Sequence, residues 1–206
     1  RDDVESRGLG DVYKRQILAG VGGQGILSIA TILGTAALRE GLYLKQAEVH
    51  GMSQRGGDVM SCLRLSSDPI ASDLIPMGGA DIIVSLEPME ALRYVQWLSP
   101  QGWIVTNTVP FVNIPNYPEM DAVMAALESR DNVISFDMDT TAKEVATPRA
   151  SNMVLLGAAS LLCGIETEKI EDGIRTVFGA KGEKIVESNL AAFRAGLQRA
   201  REISGR

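Results

Sequence analysis

The sequence predicts an α/β protein: one domain with a mainly parallel sheet flanked by helices and a helical C-terminal cap. Three observations predict it. Short apolar runs alternate with helix-compatible segments as far as Phe136. The first of these runs, Ile17-Leu-Ala-Gly-Val-Gly-Gly-Gln-Gly25, passes through glycines at 20, 22, 23 and 25 straight into a helical segment. From Asn152 onward only helical patterns remain.

Taken in order, residues 1–10 are charged and lack an apolar period. Asp11-Val-Tyr-Lys-Arg-Gln16 is the translation of GATGTGTATAAGAGACAG, a transposon end used in preparing DNA libraries for sequencing. Residues 1–16 are therefore expected to be an adapter-derived, non-native leader, and 17–206 the domain proper. Lys14, Arg15 and Gln16 would then stand where apolar residues belong, and the first strand would start short. Between 26 and 40, Ile26, Ile29, Leu33 and Ala37 recur at helical spacing, and Gly41 supplies the C-terminal stop. Two strand-like runs follow at 42–49 and 59–65, separated by a glycine-rich loop. Ser67-Asp-Pro69 is turn chemistry, and 70–77 is expected as an edge segment. ADIIVSL at 80–86 is the continuous apolar run that a sheet buried on both faces requires.

Glu87-Pro-Met-Glu90 opens a helix expected to continue to Leu98, with proline in its first turn and carboxylates at the positive end of its dipole. The next strand is read at 103–107, then a proline-bearing loop at 109–118, a helix at 121–129 and a strand at 133–136. A short helix at 139–146 ends before Pro148. Helices at 153–163, 166–178 and 181–203 complete the chain.

Composition narrows the function. With 45% hydrophobic residues and a formal charge of −6, the chain can build a sizeable core but has no basic stripe to neutralise phosphates, so nucleic acid is not expected as a partner. No apolar run reaches membrane-spanning length and no secretory leader is visible, so no membrane partner and a cytoplasmic location are expected. Cys62 and Cys163 each lie in an apolar run and read as buried free thiols. Two cysteines cannot hold a four-thiolate iron–sulfur cluster.

Strand, glycine turn and helix N-terminus form an anion-binding geometry, because the first helical N–H groups lack intrahelical partners. Gly20, Gly22 and Gly25 satisfy G-x-G-x-x-G, while Gly23 and Gln24 complete the turn. A Rossmann-like dinucleotide site also needs an acidic residue about twenty positions on, closing the second strand. Glu40 sits at a helix end and Glu48 lies late. Glycines that merely pack the first helix tightly on the first strand are the plainer reading. His50 is the single histidine, so it is a weak candidate for any base or metal ligand. Its loop adds Ser53, Gln54, Arg55, Gly56 and Gly57, whose amide and guanidinium donors suit carboxylate, phosphate or a partner's carbonyls. No residue stands out as catalytic. Asp137 and Asp139 could form a carboxylate pair, but Asp139 is better placed to cap the following helix, and Ser151 and Asn152 invite the same reading. Cys62 has no visible activating base.

Together Gly20-Val-Gly-Gly-Gln-Gly25 and Glu48-Val-His-Gly-Met-Ser-Gln-Arg-Gly-Gly57 resemble the gamma-type domain of the 2-oxoacid:ferredoxin oxidoreductases. The first motif is shared across that superfamily. The second resembles its indolepyruvate branch, whose small subunit is called beta, whereas the broader family more often has E-x-R-G-G there. The resemblance covers nearly the whole chain from Ile17 onward and departs only at the start. It implies a small subunit whose large (alpha) partner carries thiamine diphosphate and 4Fe-4S clusters. The complex would oxidatively decarboxylate aryl 2-oxoacids with coenzyme A (CoA), giving aryl-acetyl-CoA, carbon dioxide and reduced ferredoxin. The glycine turn and the loop from His50 to Asp58 would then lie at the carboxyl edge of the sheet, facing that partner. Two alternatives stand beside this: a separate NAD(P)- or flavin-binding dehydrogenase, and a purely structural assembly subunit.

Overall fold

The computed structural model describes residues 13–50, 57–112 and 114–206. Six strands, β1 (Tyr13–Val21), β2 (Tyr43–His50), β3 (Asp58–Ser66), β4 (Ala80–Ser85), β5 (Leu98–Asn107) and β6 (Val133–Phe136), form one sheet in the order β2-β3-β1-β4-β5-β6. The pairs β1–β4, β4–β5 and β5–β6 are parallel. Strand β3 runs against both β1 and β2, so it alone is reversed and the sheet is mainly parallel, as expected.

Apolar runs become central strands here because both faces are covered. Leu18, Ile82, Val84 and Val105 point into one core layer, formed with helices α1 (Ile26–Arg39), α5 (Ser151–Ser160), α6 (Thr167–Phe178) and α7 (Glu183–Ser204). Ile17, Ala19, Ile83 and Ile104 point into the other, which α2 (Pro88–Arg93) and α3 (Met120–Glu128) cover through Ala91 and Leu127. The short α4 (Met138–Val145) joins the first layer through Met138 and Ala142.

The C-terminal helices are less a cap than a full layer. Helix α5 is apolar all round, and all ten of its residues except Asn152 are buried, as befits a helix enclosed on every side. It meets α7 at two glycines. A Cβ on Gly157 would lie 1.9 Å from the Phe193 carbonyl oxygen, and one on Gly196 would lie 1.9 Å from that of Val154. Glycine at both positions lets the two backbones touch.

Four local expectations need correction. Strand β1 does not start short: it opens at Tyr13 and pairs with β3 from Tyr13↔Ser66 onward, because backbone pairing does not depend on apolar side chains. Arg15 is satisfied by Asp81 at 3.2 Å, while Gln16 is completely buried. Residues 70–77 form no strand. Pro69 and Pro76 lack ladder N–H groups, and the carbonyls of Ser72 and Leu74 accept instead from the Arg64 guanidinium at 2.7 and 3.0 Å. Helix α2 stops at Arg93 because Tyr94 turns toward β3, where its hydroxyl donates to Asp58 Oδ2 at 3.2 Å; a 3₁₀ turn at Val95–Trp97 follows. Finally, α4 is capped by Asp137 rather than Asp139: its Oδ1 accepts from Thr140 N at 2.7 Å.

Candidate functional site

The strand order makes one end of the sheet special. From β1 the chain moves outward to β2 and β3, then returns to the other side of β1 as β4, so a topological switch point lies between the carboxyl ends of β1 and β4. Open α/β sheets place ligands in that crevice. The glycine turn leaves β1 on one side of it, and Leu86-Glu87 leaves β4 on the other.

The turn is built from within. Val21 N donates to Gln24 Oε1 at 2.7 Å, Gln24 N donates to Val21 O at 3.1 Å, and Gln24 Nε2 reaches across the crevice to Leu86 O at 3.4 Å. Gly23 (φ 103°) and Gly25 (φ 81°) hold left-handed conformations that side-chain-bearing residues adopt only with strain. Gly20 must be bare because a Cβ there would lie 2.9 Å from both Gln24 Oε1 and Ile26 Cγ1. Gly25 is the N-cap of α1 and offers no side-chain cap.

The second loop arrives at the same place. Val21 pairs with Asp58 and His50 with Val59, so the β2–β3 hairpin turns at the β1 rim. Gly22 N donates to Gly57 O at 2.8 Å, joining the glycine turn to the base of the hairpin. The His50 side chain, Ser53, Gln54, Arg55 and Gly56 lie outside the described residues. Glu40 and Glu48 do not complete a dinucleotide site. Glu40 ends α1, where its carboxylate accepts from Glu166 N at 3.2 Å and partial burial raises its pKa. Glu48 is on β2, two strands from β1 and so about 10 Å away, because β3 intervenes.

Two residues of the rim give no local sign in the sequence of the contacts they make. Asn152 does not cap α5: its Nδ2 donates to Gly25 O at 3.4 Å and packs where a Gly25 side chain would be. A single Asn near a helix start gives no sign of this, because its partner is far away in sequence. Ser151 is likewise no cap; its hydroxyl donates to Pro148 O at 3.2 Å. Glu87, legible only as a helix-end carboxylate, is fully buried at the rim. Beside the α1 N-terminus, a cleft of about 630 Å³ is lined by Ser28, Arg149, Asn152, Phe178, Lys181 and Ile185. It combines two cations with apolar walls.

Other candidates fall away. Asp137 is spent on its cap, which lowers its pKa chiefly through the Thr140 N–H. Cys62 and Cys163 are buried free thiols; burial raises both pKa values, that of Cys163 to about 12, so neither forms a ready nucleophile. Among the described residues no group of three or more potential ligands could hold a metal, and no helix is long and apolar enough to cross a membrane.

Fold and rim together define a doubly wound α/β domain that presents backbone loops at a switch point. Residues 15–199 match the model of the pyruvate ferredoxin/flavodoxin oxidoreductase family, and the chain belongs to that family. It is 37% identical over 199 residues to indolepyruvate oxidoreductase subunit IorB of Thermococcus kodakarensis, covering 92% of this chain and 96% of that one. It is 36% identical over 201 residues to the subunit of the same name from Archaeoglobus fulgidus, with coverages of 92% and 96%. Among solved structures, 2-oxoglutarate:ferredoxin oxidoreductase from Magnetococcus marinus, with 2-oxoglutarate, coenzyme A and succinyl-CoA bound, superposes with a TM-score of 0.74 at 25% identity. That match covers 94% of this chain but 32% of the Magnetococcus chain, so the domain equivalent to this protein is there part of a longer polypeptide. Pyruvate oxidoreductase subunit PORC of Thermotoga maritima shares the fold, with a TM-score of 0.70 and 21% identity over 90% of this chain.

Proposed function

We propose that this chain is the small subunit of a cytoplasmic, thiamine-diphosphate-dependent 2-oxoacid:ferredoxin oxidoreductase acting on indolepyruvate and related aryl 2-oxoacids. The complex releases carbon dioxide, transfers the acyl group to CoA and passes two electrons to ferredoxin. Thiamine diphosphate and the 4Fe-4S clusters belong to the large subunit; the two cysteines of this chain are too few for a four-thiolate cluster.

The observation that carries the reading is the similarity, along nearly the whole of both chains, to an indolepyruvate oxidoreductase subunit, and the 2.8 Å bond from Gly22 N to Gly57 O joins the glycine turn and the hairpin base at the switch point. This chain's part is to wall the crevice through which CoA approaches and to dock the large subunit there. Ser53, Gln54 and Arg55 supply donors for the CoA phosphates or for partner carbonyls. The cleft bearing Arg149 and Lys181 is a second place where negative charge is favoured, and its apolar walls suit an adenine ring.

The test is reconstitution with the large subunit. Arg55→Ala should leave the complex assembled and lower CoA-dependent turnover at least tenfold. If both assembly and turnover stayed at wild-type level, the assigned role would be lost. The separate-dehydrogenase reading predicts instead saturable nucleotide binding by the isolated chain, abolished by Gly22→Val. The purely structural reading predicts that no loop variant loses turnover while still assembling.

A further inference from the structure

A third loop reaches the same rim. Its described residues, 108–112 and 114–118, follow the carboxyl end of β5, and the root is held by Asn107, whose Oδ1 accepts from Val109 N at 3.3 Å and Met138 N at 3.0 Å. The segment contains three prolines and exposes Phe111 and Val112, 46% and 66% accessible. What holds it down is a carboxylate. Glu87 Oε2 accepts from Glu90 N at 2.8 Å, capping α2, while Oε1 accepts from Phe111 N at 3.4 Å and from the Tyr117 hydroxyl. Ser85 fixes the Glu87 backbone by donating its hydroxyl to Glu87 O at 2.7 Å and accepting from Glu87 N at 3.2 Å. The neighbouring residue, Leu86, is the one that Gln24 reaches from the glycine turn.

Fully buried carboxylates are rare, and this one makes more bonds than a helix cap needs. A cap uses a single oxygen. The second oxygen faces two donors from a loop more than twenty residues away in sequence. The tripeptide Ser85-Leu86-Glu87 therefore ties the glycine turn, the end of β4 and the 108–118 segment into one unit across the switch point.

We propose that Glu87 is a positioning residue of the assembled enzyme: through Phe111 and Tyr117 it holds the loop after β5 against the carboxyl end of β4, the strand that faces the glycine turn across the switch point, so that this loop forms the far wall of the crevice through which CoA approaches. This rests on the rim reading given above. Glu87 touches no reacting atom. It acts through Tyr117 and Phe111.

The test uses the reconstituted complex and measures KM for CoA and kcat separately. Tyr117→Phe removes one donor and keeps the α2 cap, so it should raise KM for CoA at least threefold with kcat within twofold and the isolated chain's Tm within a few degrees. Glu87→Gln, nearly isosteric, must set its amide NH₂ against either Glu90 N or Phe111 N, and should raise KM at least tenfold. Because the two act on one contact, the double variant should be no worse than Glu87→Gln alone. A lowered Tm with KM unchanged in both variants would overturn the assignment and leave Glu87 a structural cap. If Arg55→Ala impaired turnover while Tyr117→Phe did not move KM, only this proposal would fall. If neither variant affected the complex, the rim reading would fall with it.

Discussion

The contact between α5 and α7 offers a sharp quantitative test, because two effects of Gly196→Ala have opposite signs. Helix propensity alone favours alanine over glycine by about 1 kcal/mol. Packing opposes it. The new Cβ would lie 1.9 Å from Val154 O, 2.7 Å from its carbonyl carbon and 2.9 Å from its Cα, whereas ordinary contact begins at 3.4 Å. Helix α7 would have to retreat by about 1.5 Å, and no side chain can rotate to absorb that, because every atom met is backbone. The retreat would loosen Leu190, Phe193 and Ala200, which are wholly buried. A gap of 0.5–1 Å forfeits roughly a quarter to a half of a dispersion contact. Overpacking of this kind costs about 1–3 kcal/mol where neighbours can adjust, and here the upper end applies. After the propensity gain, a net loss of about 2 kcal/mol remains, which lowers Tm by about 4–8 °C in a chain of this length. Thermal unfolding of the isolated chain, followed by far-ultraviolet circular dichroism, measures it. Gly173→Ala is the internal comparison: its Cβ would meet Ile32 O at 2.9 Å, a far smaller intrusion, and should leave Tm within a few degrees of wild type. A Gly196→Ala variant as stable as the parent, or more so, would refute the packing argument.

Three further outcomes are expected. Gln16→Leu should raise stability by about 1–3 kcal/mol in urea unfolding. The Gln16 Nε2 is buried without a partner among the described residues, and its Oε1 accepts from the Cys163 thiol at 3.4 Å; a loss of stability would show that the amide is properly housed. Asp137→Ala should cost about 1 kcal/mol at neutral pH through loss of the α4 cap. The folded-state pKa of Asp137 lies below its ordinary 3.8, so this stabilisation is complete above pH 3.8 and lost as pH falls through the lower folded value. The wild-type and variant stability curves should therefore converge in acid, and a constant gap down to pH 2 would contradict the assignment. Gln24→Ala removes the acceptor of Val21 N and the bridge to Leu86, and should both destabilise the chain by about 1–3 kcal/mol and weaken CoA-dependent turnover of the complex; a change in stability alone would confine Gln24 to a structural role.

Most of the fold was legible because its signals are local. Helix α1 could be read from the spacing of Ile26, Ile29 and Leu33 and from its glycine stop, and β4 from an unbroken apolar run. What escaped was set by partners distant in sequence. Nothing in residues 58–66 states that β3 inserts antiparallel between β1 and β2, because direction is fixed by the hairpin and by which edge of β1 stays open. That one insertion separates Glu48 from β1 and removes the dinucleotide geometry that the glycine spacing suggests. Asn152 and Glu87 looked like ordinary helix-end residues, since the groups they bind, Gly25 O and Tyr117, come together only in the folded chain. Asp139 lost the cap to Asp137 by two positions, a distinction decided by local backbone angles. The two motifs carrying the resemblance meet where Gly22 N donates to Gly57 O, and the first reaches the rest of the rim through Gln24 and Gly25, whose partners Leu86 and Asn152 lie outside both motifs.

The side chain of Gln24 has an implication for recognition. By filling the hollow over Gly20 and accepting from Val21 N, it shapes the turn through contacts made within the chain itself. Bonds of this kind are made on folding, so the entropy of ordering the turn is surrendered then rather than at the moment of encounter. Such a surface discriminates by fit, and a visitor of the wrong outline is refused because the loop has no slack with which to accommodate it.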